Sequence, residues 1–359
     1  MRKWSSFLLT ALLAGSLAAC ATPPDADGDT AGGEGGTSAT ADGDSRLNVV
    51  KERGTLICGV DGGIPGFSFV DEEGNYSGID ADICKAVAAA VLGDAEAVEY
   101  RRLDSTERFT ALAGGEVDML SRNTTWTISR DTSVGLEFAP TTFYDGQGMM
   151  VRESSGIQTL EDFAGKSVCV EAGTTTELNL TDKMREAGVD PEVKTFQQAD
   201  PAYQAYEDEL CDGFTSDKSQ LLARRTTLSD PEAHILLDAT MSKEPLGPVT
   251  INNDSAWFDV VKWVTYGLIE AEELGITSEN LGEMEGSEDP TIRRFLGAEG
   301  ELGEGIGLDD DFMVNAIEAV GNYGQVYERN LGQESQFKLD RGLNALWTDG
   351  GLLYAPPFR

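Results

Sequence analysis

From about residue 47 onward the chain alternates between two rhythms. Short continuous apolar runs give way to longer stretches whose apolar residues stand three or four apart. The run 55–60 (TLICGV) predicts a buried strand, and it opens into a loop rich in glycine and proline at 61–66 (DGGIPG). After Gly78, the residues Ile83, Val87 and Val91 recur at helical spacing. Asp104 then stands as the cap of a further helix, with Glu107 three residues on and Phe109 and Leu112 facing the core. A second apolar run, Val117-Asp118-Met119-Leu120, predicts the next strand. Strand and helix in turn imply a parallel sheet covered by helices.

The rhythm restarts after Gly146. Residues 166–170 predict a strand, 173–177 (GTTTE) open a helix whose first N–H groups lack partners, and 210–214 predict another strand that ends at Thr215-Ser216-Asp217. A third part begins near Pro248. It contains a long helix over 256–274, with Phe258, Val261, Val264, Leu268 and Ile269 on one side, then a helix over 312–320 and an end punctuated by Gly and Pro. The stretch 47–359 is longer than one ordinary domain and predicts two.

The first 20 residues have the make-up of an export signal: Arg2 and Lys3, then an apolar stretch over 7–14 that is too short to span a bilayer. The stretch closes on Leu17-Ala18-Ala19-Cys20, which resembles a bacterial lipobox and implies lipidation at Cys20. Residues 21–46 hold Gly, Ala, Thr, Asp and Pro without apolar periodicity and predict a flexible tether. A calcium loop at Asp25-Ala26-Asp27-Gly28-Asp29 fails because Thr30 stands where such a loop needs Gly. The formal net charge of -36 makes nucleic acid and anionic lipid poor partners, and a solvated acidic surface explains most of it. No cofactor is expected.

Of five cysteines, Cys58, Cys84, Cys169 and Cys211 remain once Cys20 is set aside, an even number in an exported chain. Three pairings are possible. Cys58 with Cys84 and Cys169 with Cys211 is favoured, because each bridge then closes a loop inside one predicted lobe. A zinc site is disfavoured by the lack of a C-x-x-C pair. Gly165-Lys166-Ser167 lacks the first glycine of a phosphate-binding loop, with Leu160 in its place. His234 is the sole histidine and sits in no strained active-site turn, so it reads as structural. Asp309-Asp310-Asp311 reads as a solvated helix start.

The most informative stretch is 120–130, LSRNTTWTISR. An apolar strand ends here in a row of donors, Asn123, Thr124 and Thr125, followed by Arg130. Arg offers a carboxylate two parallel contacts, and hydroxyls or N–H groups fill its remaining lone pairs. Strand ends in open α/β sheets are also where ligands sit. A polar loop capping a short helix over 127–130 is the plain alternative.

Together, the lipobox, the two restarting halves and the donor loop resemble extracytoplasmic amino-acid-binding proteins (family 3) of ABC transporters, nearest to their general L-amino-acid receptors. The matching segments are 107–112 (ERFTAL), 121–130, 144–148 (YDGQG), 173–180, 242–248 (SKEPLGP) and 341–357 (RGLNALWTDGGLLYAPP). The resemblance implies a two-lobed, type II α/β fold with hinge strands and a helical C-terminal extension. Lobe one would comprise 47–143 and 248–359, lobe two 144–247, with crossings near 141–146 and 242–248. It implies that Asn123, Thr125 and Arg130 hold a ligand α-carboxylate, that Thr175 adds a donor from a helix start, and that Asp217 accepts the α-ammonium. It gives Asp61 a contact with the ligand side chain or ammonium and places Arg108 near the ligand side chain; Trp126 and Phe67 could contact ligand or core, Trp126 more readily core. The implied ligands are free L-amino acids of broad range, polar and acidic, and the implied partners are ABC permease membrane subunits, with a monomeric receptor held to the membrane by its lipid alone. A dehydratase acting on prephenate-like acids and a sensor domain share the fold and are the competing readings.

Overall fold

The computed structural model describes residues 45–359. The export signal, Cys20 and all but the last two residues of the predicted tether lie outside the described residues. Ser45 caps a helix, Arg46–Arg53, through its hydroxyl.

Two five-stranded sheets carry the structure. The first runs in the order β5 (Val98–Arg102), β1 (Leu56–Val60), β6 (Met119–Leu120), β15 (Val249–Ile251), β7 (Leu136–Phe138). The second runs β11 (Glu192–Phe196), β10 (Ser167–Glu171), β12 (Gly213–Asp217), β9 (Gln147–Arg152), β13 (His234–Leu236). A small antiparallel sheet of β2 (Gly63–Ile64), β3 (Ser68–Val70) and β4 (Tyr76–Ser77) follows the loop after β1. Two strands join the large sheets, β8 (Phe143–Asp145) and β14 (Glu244–Leu246), which pair antiparallel with Asp145 opposite Glu244.

Both sheets are mixed, which corrects the expectation of purely parallel ones. Four strands of each run the same way; β15 in the first and β9 in the second run antiparallel to both of their neighbours. The physical reason is the crossing itself. The chain leaves β8 and enters the second sheet at once as β9, and it leaves β14 and enters the first sheet as β15. Such direct entry leaves no room for the crossover helix that a parallel strand requires.

Strand β10 (SVCVE) shows why the second sheet reads as a continuous apolar run. Val168 and Val170 face Phe163, Leu180 and Met184, while Cys169 faces Tyr206 and Phe214. A strand covered on both sides has no polar face. The other predicted strand of this sheet is displaced. It begins at Gly213 and continues through Asp217, whereas Leu210 is exposed.

In the first lobe the helix Ile79–Leu92 lies against Ser255–Glu273 and Phe312–Val320, with Trp257, Val261, Val264 and Leu268 buried among them. Gly78 begins the first of these at φ 117°, and a Cβ there would meet the Phe67 carbonyl oxygen at 2.1 Å, so only glycine fits. The C-terminal segment reaches back to the crossing: the Asn344 side chain accepts from Tyr144 N (2.6 Å) and donates to Tyr144 O (3.2 Å). The cysteines are bridged as Cys58–Cys84 and Cys169–Cys211. No helix among the described residues is long and apolar enough to cross a membrane.

Candidate functional site

The two sheets present their strand ends to one cleft beside the crossings. From the first lobe come Arg108, at the start of the helix Arg108–Ala113, and the loop after β6 that carries Arg122, Asn123 and Thr125. That loop is fixed from two sides. The buried Asp80 carboxylate accepts from Ser121 Oγ and from Asn123 N, both at 3.2 Å, and burial pushes its pKa up to about 7. Main-chain bonds from Trp126 N to Pro245 O (2.9 Å) and from Gly247 N to Thr124 O (3.2 Å) stitch the loop to the second crossing. Asn123 takes a left-handed φ of 42°. Its Nδ2 and Oδ1 are both buried with no hydrogen-bond partner among the described residues.

Arg130 stands in a π-helical turn, Arg130–Gly135, and its Nη1 donates to Thr125 O at 2.8 Å. The Phe109 ring packs against the core, as expected, and also serves as a platform, with the guanidinium carbons of Arg108 at 4.7 Å and Arg130 at 5.2 Å from its centre. Such stacking is favourable for a desolvated guanidinium. Burial holds Arg130 down to about 10, and burial together with Arg122 and Arg130 holds Arg108 well below its ordinary value. Among the described residues neither Arg108 nor Arg130 forms an ion pair. Arg122 does: it meets Asp61 at 2.7 Å and Glu171 at 3.5 Å.

From the second lobe come Thr175, first residue of the helix Thr175–Glu186, and Asp217, last residue of β12. Thr174 caps that helix by accepting from Glu177 N (3.1 Å), which leaves the first-turn N–H groups facing the cleft. Asp217 is 6 % exposed, and its Oδ1 has no partner among the described residues. Burial first, then the Asp145 and Glu244 carboxylates, push its pKa well above the usual range.

Arg108, Asn123, Thr125, Arg130, Thr175 and Asp217 therefore line one cavity between the lobes. Asp61 does not line it; its carboxylate accepts from Arg122 and from Gly63 N (3.0 Å) and faces a neighbouring outer pocket. Phe67 is core, edge-on to Phe143 at 5.1 Å. Trp126, read as core, is 49 % exposed: it stacks on Phe138 and donates to Asp131 (2.9 Å) at the surface, because the loop is turned outward by its bonds to the second crossing. Thr124 is buried and donates to Arg122 O. His234 accepts or donates at Nδ1 to Tyr206 (2.8 Å), away from the cavity.

The cavity is closed to about 20 Å³. That is room for one water, so anything larger enters only with the lobes apart. What clasps them is a residue the sequence reading passed over. Glu244, 1 % exposed on β14, accepts at Oε2 from Thr125 Oγ1 (2.6 Å) of one lobe and Thr175 Oγ1 (2.8 Å) of the other. Its Oε1 accepts from Asn179 Nδ2 (3.1 Å) and from Ser242 Oγ. A hydroxyl carries one proton. With both committed to Glu244, the donors left in the cavity are Arg108, Arg130, the Asn123 amide and main-chain N–H groups. Arg122, Glu171 and Ser105 were also missed; Ser105 Oγ donates to Glu171 Oε1 across the lobes at 2.5 Å. Arg122 belonged to the donor row itself, while Glu171 and Glu244 acquire their partners only through the fold.

Residues 56–352 match the family model of the bacterial extracellular solute-binding proteins, family 3. The chain belongs to this family. It is 49% identical over 315 residues to the general L-amino acid-binding periplasmic protein AapJ of Rhizobium johnstonii, covering 87% of this chain and 92% of that one. It is 48% identical over 316 residues to the glutamate/glutamine/aspartate/asparagine-binding protein BztA of Rhodobacter capsulatus, covering 88% and 94%. The solved structure of an ABC transporter/periplasmic binding protein from Brucella ovis with glutathione bound superposes with a TM-score of 0.86 at 46% identity, covering 88% of this chain and all of that one. Its fold is thus the two-lobed, type II α/β fold of the family 3 solute-binding proteins.

Proposed function

We propose that this chain is the receptor of an ABC importer, capturing free L-amino acids of broad range, polar and acidic, between its lobes and presenting the closed form to the permease subunits. One observation carries the reading. Arg130 and Arg108 on one lobe, without ion pairs among the described residues, face Asp217 of the other lobe across a cavity that closes on them. A zwitterion matches this arrangement: its carboxylate meets Arg130 and Asn123, and its ammonium meets Asp217. Hydrogen bonds to charged groups contribute about 1.5–3 kcal/mol each, and more weight falls on them where water is shut out. Arg108 gives the side chain of an acidic ligand a cation, in line with the ligands in the name of BztA. Glutathione, bound by the Brucella ovis relative, carries the same amino-acid head at its γ-glutamyl end.

The reading is of binding without turnover, by an exported monomer tethered through lipid on Cys20 at a periplasmic or cell-surface membrane. Calorimetry of the mature protein against all twenty L-amino acids tests it. The expected result is binding of several, with glutamate, glutamine, aspartate and asparagine among the tightest, and loss of all of it in Asp217→Ala. Unchanged affinity in that variant would refute the assignment.

A further inference from the structure

The inner cavity adjoins a second, larger one. It measures about 420 Å³, and Arg122 and Glu171 line both. A free amino acid has no use for so much additional space; pockets of about 300–1,000 Å³ hold larger ligands. At the outer pocket two guanidiniums share one carboxylate. Arg224 of the second lobe meets Asp200 at 2.5 Å, and Arg102, at the end of β5 in the first lobe, meets the same Asp200 at 3.9 Å. Asp200 is itself largely exposed, its side chain 60 % accessible, so it neutralises the pair only weakly. Arg224 Nε is buried with no partner among the described residues, and its guanidinium lies 4.9 Å over the Tyr203 ring. This is a cation pair spanning the lobes, in a pocket that the Asp104 and Glu107 carboxylates also line; neither of those two acids pairs with Arg102 or Arg224 among the described residues, so the exposed Asp200 is the one carboxylate the pair shares.

Between the two cavities stands a partition with one loose joint. Asp61 and Ser105 hold their partners closely, at 2.7 Å to Arg122 and 2.5 Å to Glu171. Arg122 and Glu171 themselves approach only to 3.5 Å, across the lobes. A ligand chain passing there would separate these two groups without exposing either, because its amide would donate to Glu171 and accept from Arg122.

We propose that the outer pocket binds the far end of an amino acid whose side chain is extended by a peptide link, a γ-glutamyl peptide, with its terminal carboxylate held between Arg102 and Arg224. The proposal rests on the amino-acid reading of the inner cavity. The head group sits as a free amino acid does, the γ-amide lies at the Arg122–Glu171 joint, and the terminal carboxylate bridges the lobes a second time.

Calorimetry on the mature protein with L-glutamate, γ-L-glutamylglycine and γ-L-glutamylglycinamide tests this. The dipeptide should bind, and the amide, lacking the terminal charge, should bind at least about tenfold more weakly. Arg224→Gln should weaken the dipeptide by about tenfold and leave L-glutamate within about twofold. Arg102→Gln, at a half-exposed side chain, should do the same and guards against a folding defect in the first variant. Binding of glutamate but not of the dipeptide overturns the outer site, as does equal affinity for dipeptide and amide, or an equal loss for both ligands in the two variants. Binding of neither ligand by the unaltered protein overturns the amino-acid reading itself.

Discussion

Asp217 shows at the level of a single residue how function and stability oppose each other. A carboxylate buried beside Asp145 and Glu244, with one oxygen unpartnered, is costly in the absence of a cation. Asp217→Asn is therefore expected to raise the melting temperature of the unliganded protein at pH 7.5 while abolishing amino-acid binding. Thermal unfolding followed by calorimetry reads both, and a lowered melting temperature would show that the charge is compensated in a way the geometry lacks. The same group sets the sense of the pH dependence of binding. Its proton must leave before an ammonium can pair with it, so affinity rises with pH through its elevated pKa. Arg130 and Asn123 were legible from sequence because they follow an apolar strand in one contiguous donor row. Arg122 stood in that row too, and only its fold-made contacts with Asp61 and Glu171 separate a partition residue from a ligand contact.

Among the elements, the crossing strands decide how the lobes meet. Asp145 and Glu244 are opposite each other in register, and like charges so placed disfavour the pairing unless each is otherwise occupied. Asp145 is occupied by the start of the helix Lys218–Arg225, accepting from Ser219 N (3.2 Å) and its hydroxyl, and Glu244 by donors of both lobes. Glu244→Gln puts an NH₂ where two hydroxyl protons converge. The expected outcome is a larger radius of gyration in solution scattering and about tenfold weaker amino-acid binding, the size expected for one charge-assisted bond lost; an unchanged radius would remove Glu244 as the clasp. The crossing glycines act by close approach. A Cβ on Gly146 would fall 2.7 Å from Thr240 Cγ2, and one on Gly247 would fall 2.8 Å from Pro140 O. The alternation of strands and helices was readable in the sequence because each element buries a face. The short crossing strands were not, since three residues carry too little periodicity, and the antiparallel entry of β9 and β15 follows from them. Bridge Cys169–Cys211 ties β10 to the turn before β12 across a separation of 42 residues. Replacing both cysteines by serine should cost about 2–4 kcal/mol, seen as a lower urea midpoint.

For the molecule as a whole, a charge of -36 and several buried acids act in one direction. Burial lifts Asp80 to about 7 and Asp145 to about 6, from an ordinary 3.8. The folded protein therefore holds these protons more tightly than the unfolded chain. Their contribution to stability is complete below 3.8 and is lost as pH rises through about 7. Carboxylates shifted downward, such as Asp71 and Asp162, act oppositely and only once pH falls below their ordinary 3.8. The unliganded protein should thus melt higher at pH 5 than at pH 8, and Asp80→Asn should flatten that slope in thermal scans. Affinity runs the other way with pH, because Asp217 must be ionised to hold an ammonium.

One amide side chain, Asn344, grips both main-chain polar groups of Tyr144 at the first crossing. Arg341, three residues earlier, is anchored to Glu272 at 3.0 Å on the long helix Ser255–Glu273. The first crossing is thereby moored, through four residues of the C-terminal segment, to the long helix of the first lobe, so the crossing cannot shift against that helix without breaking one of these two anchors.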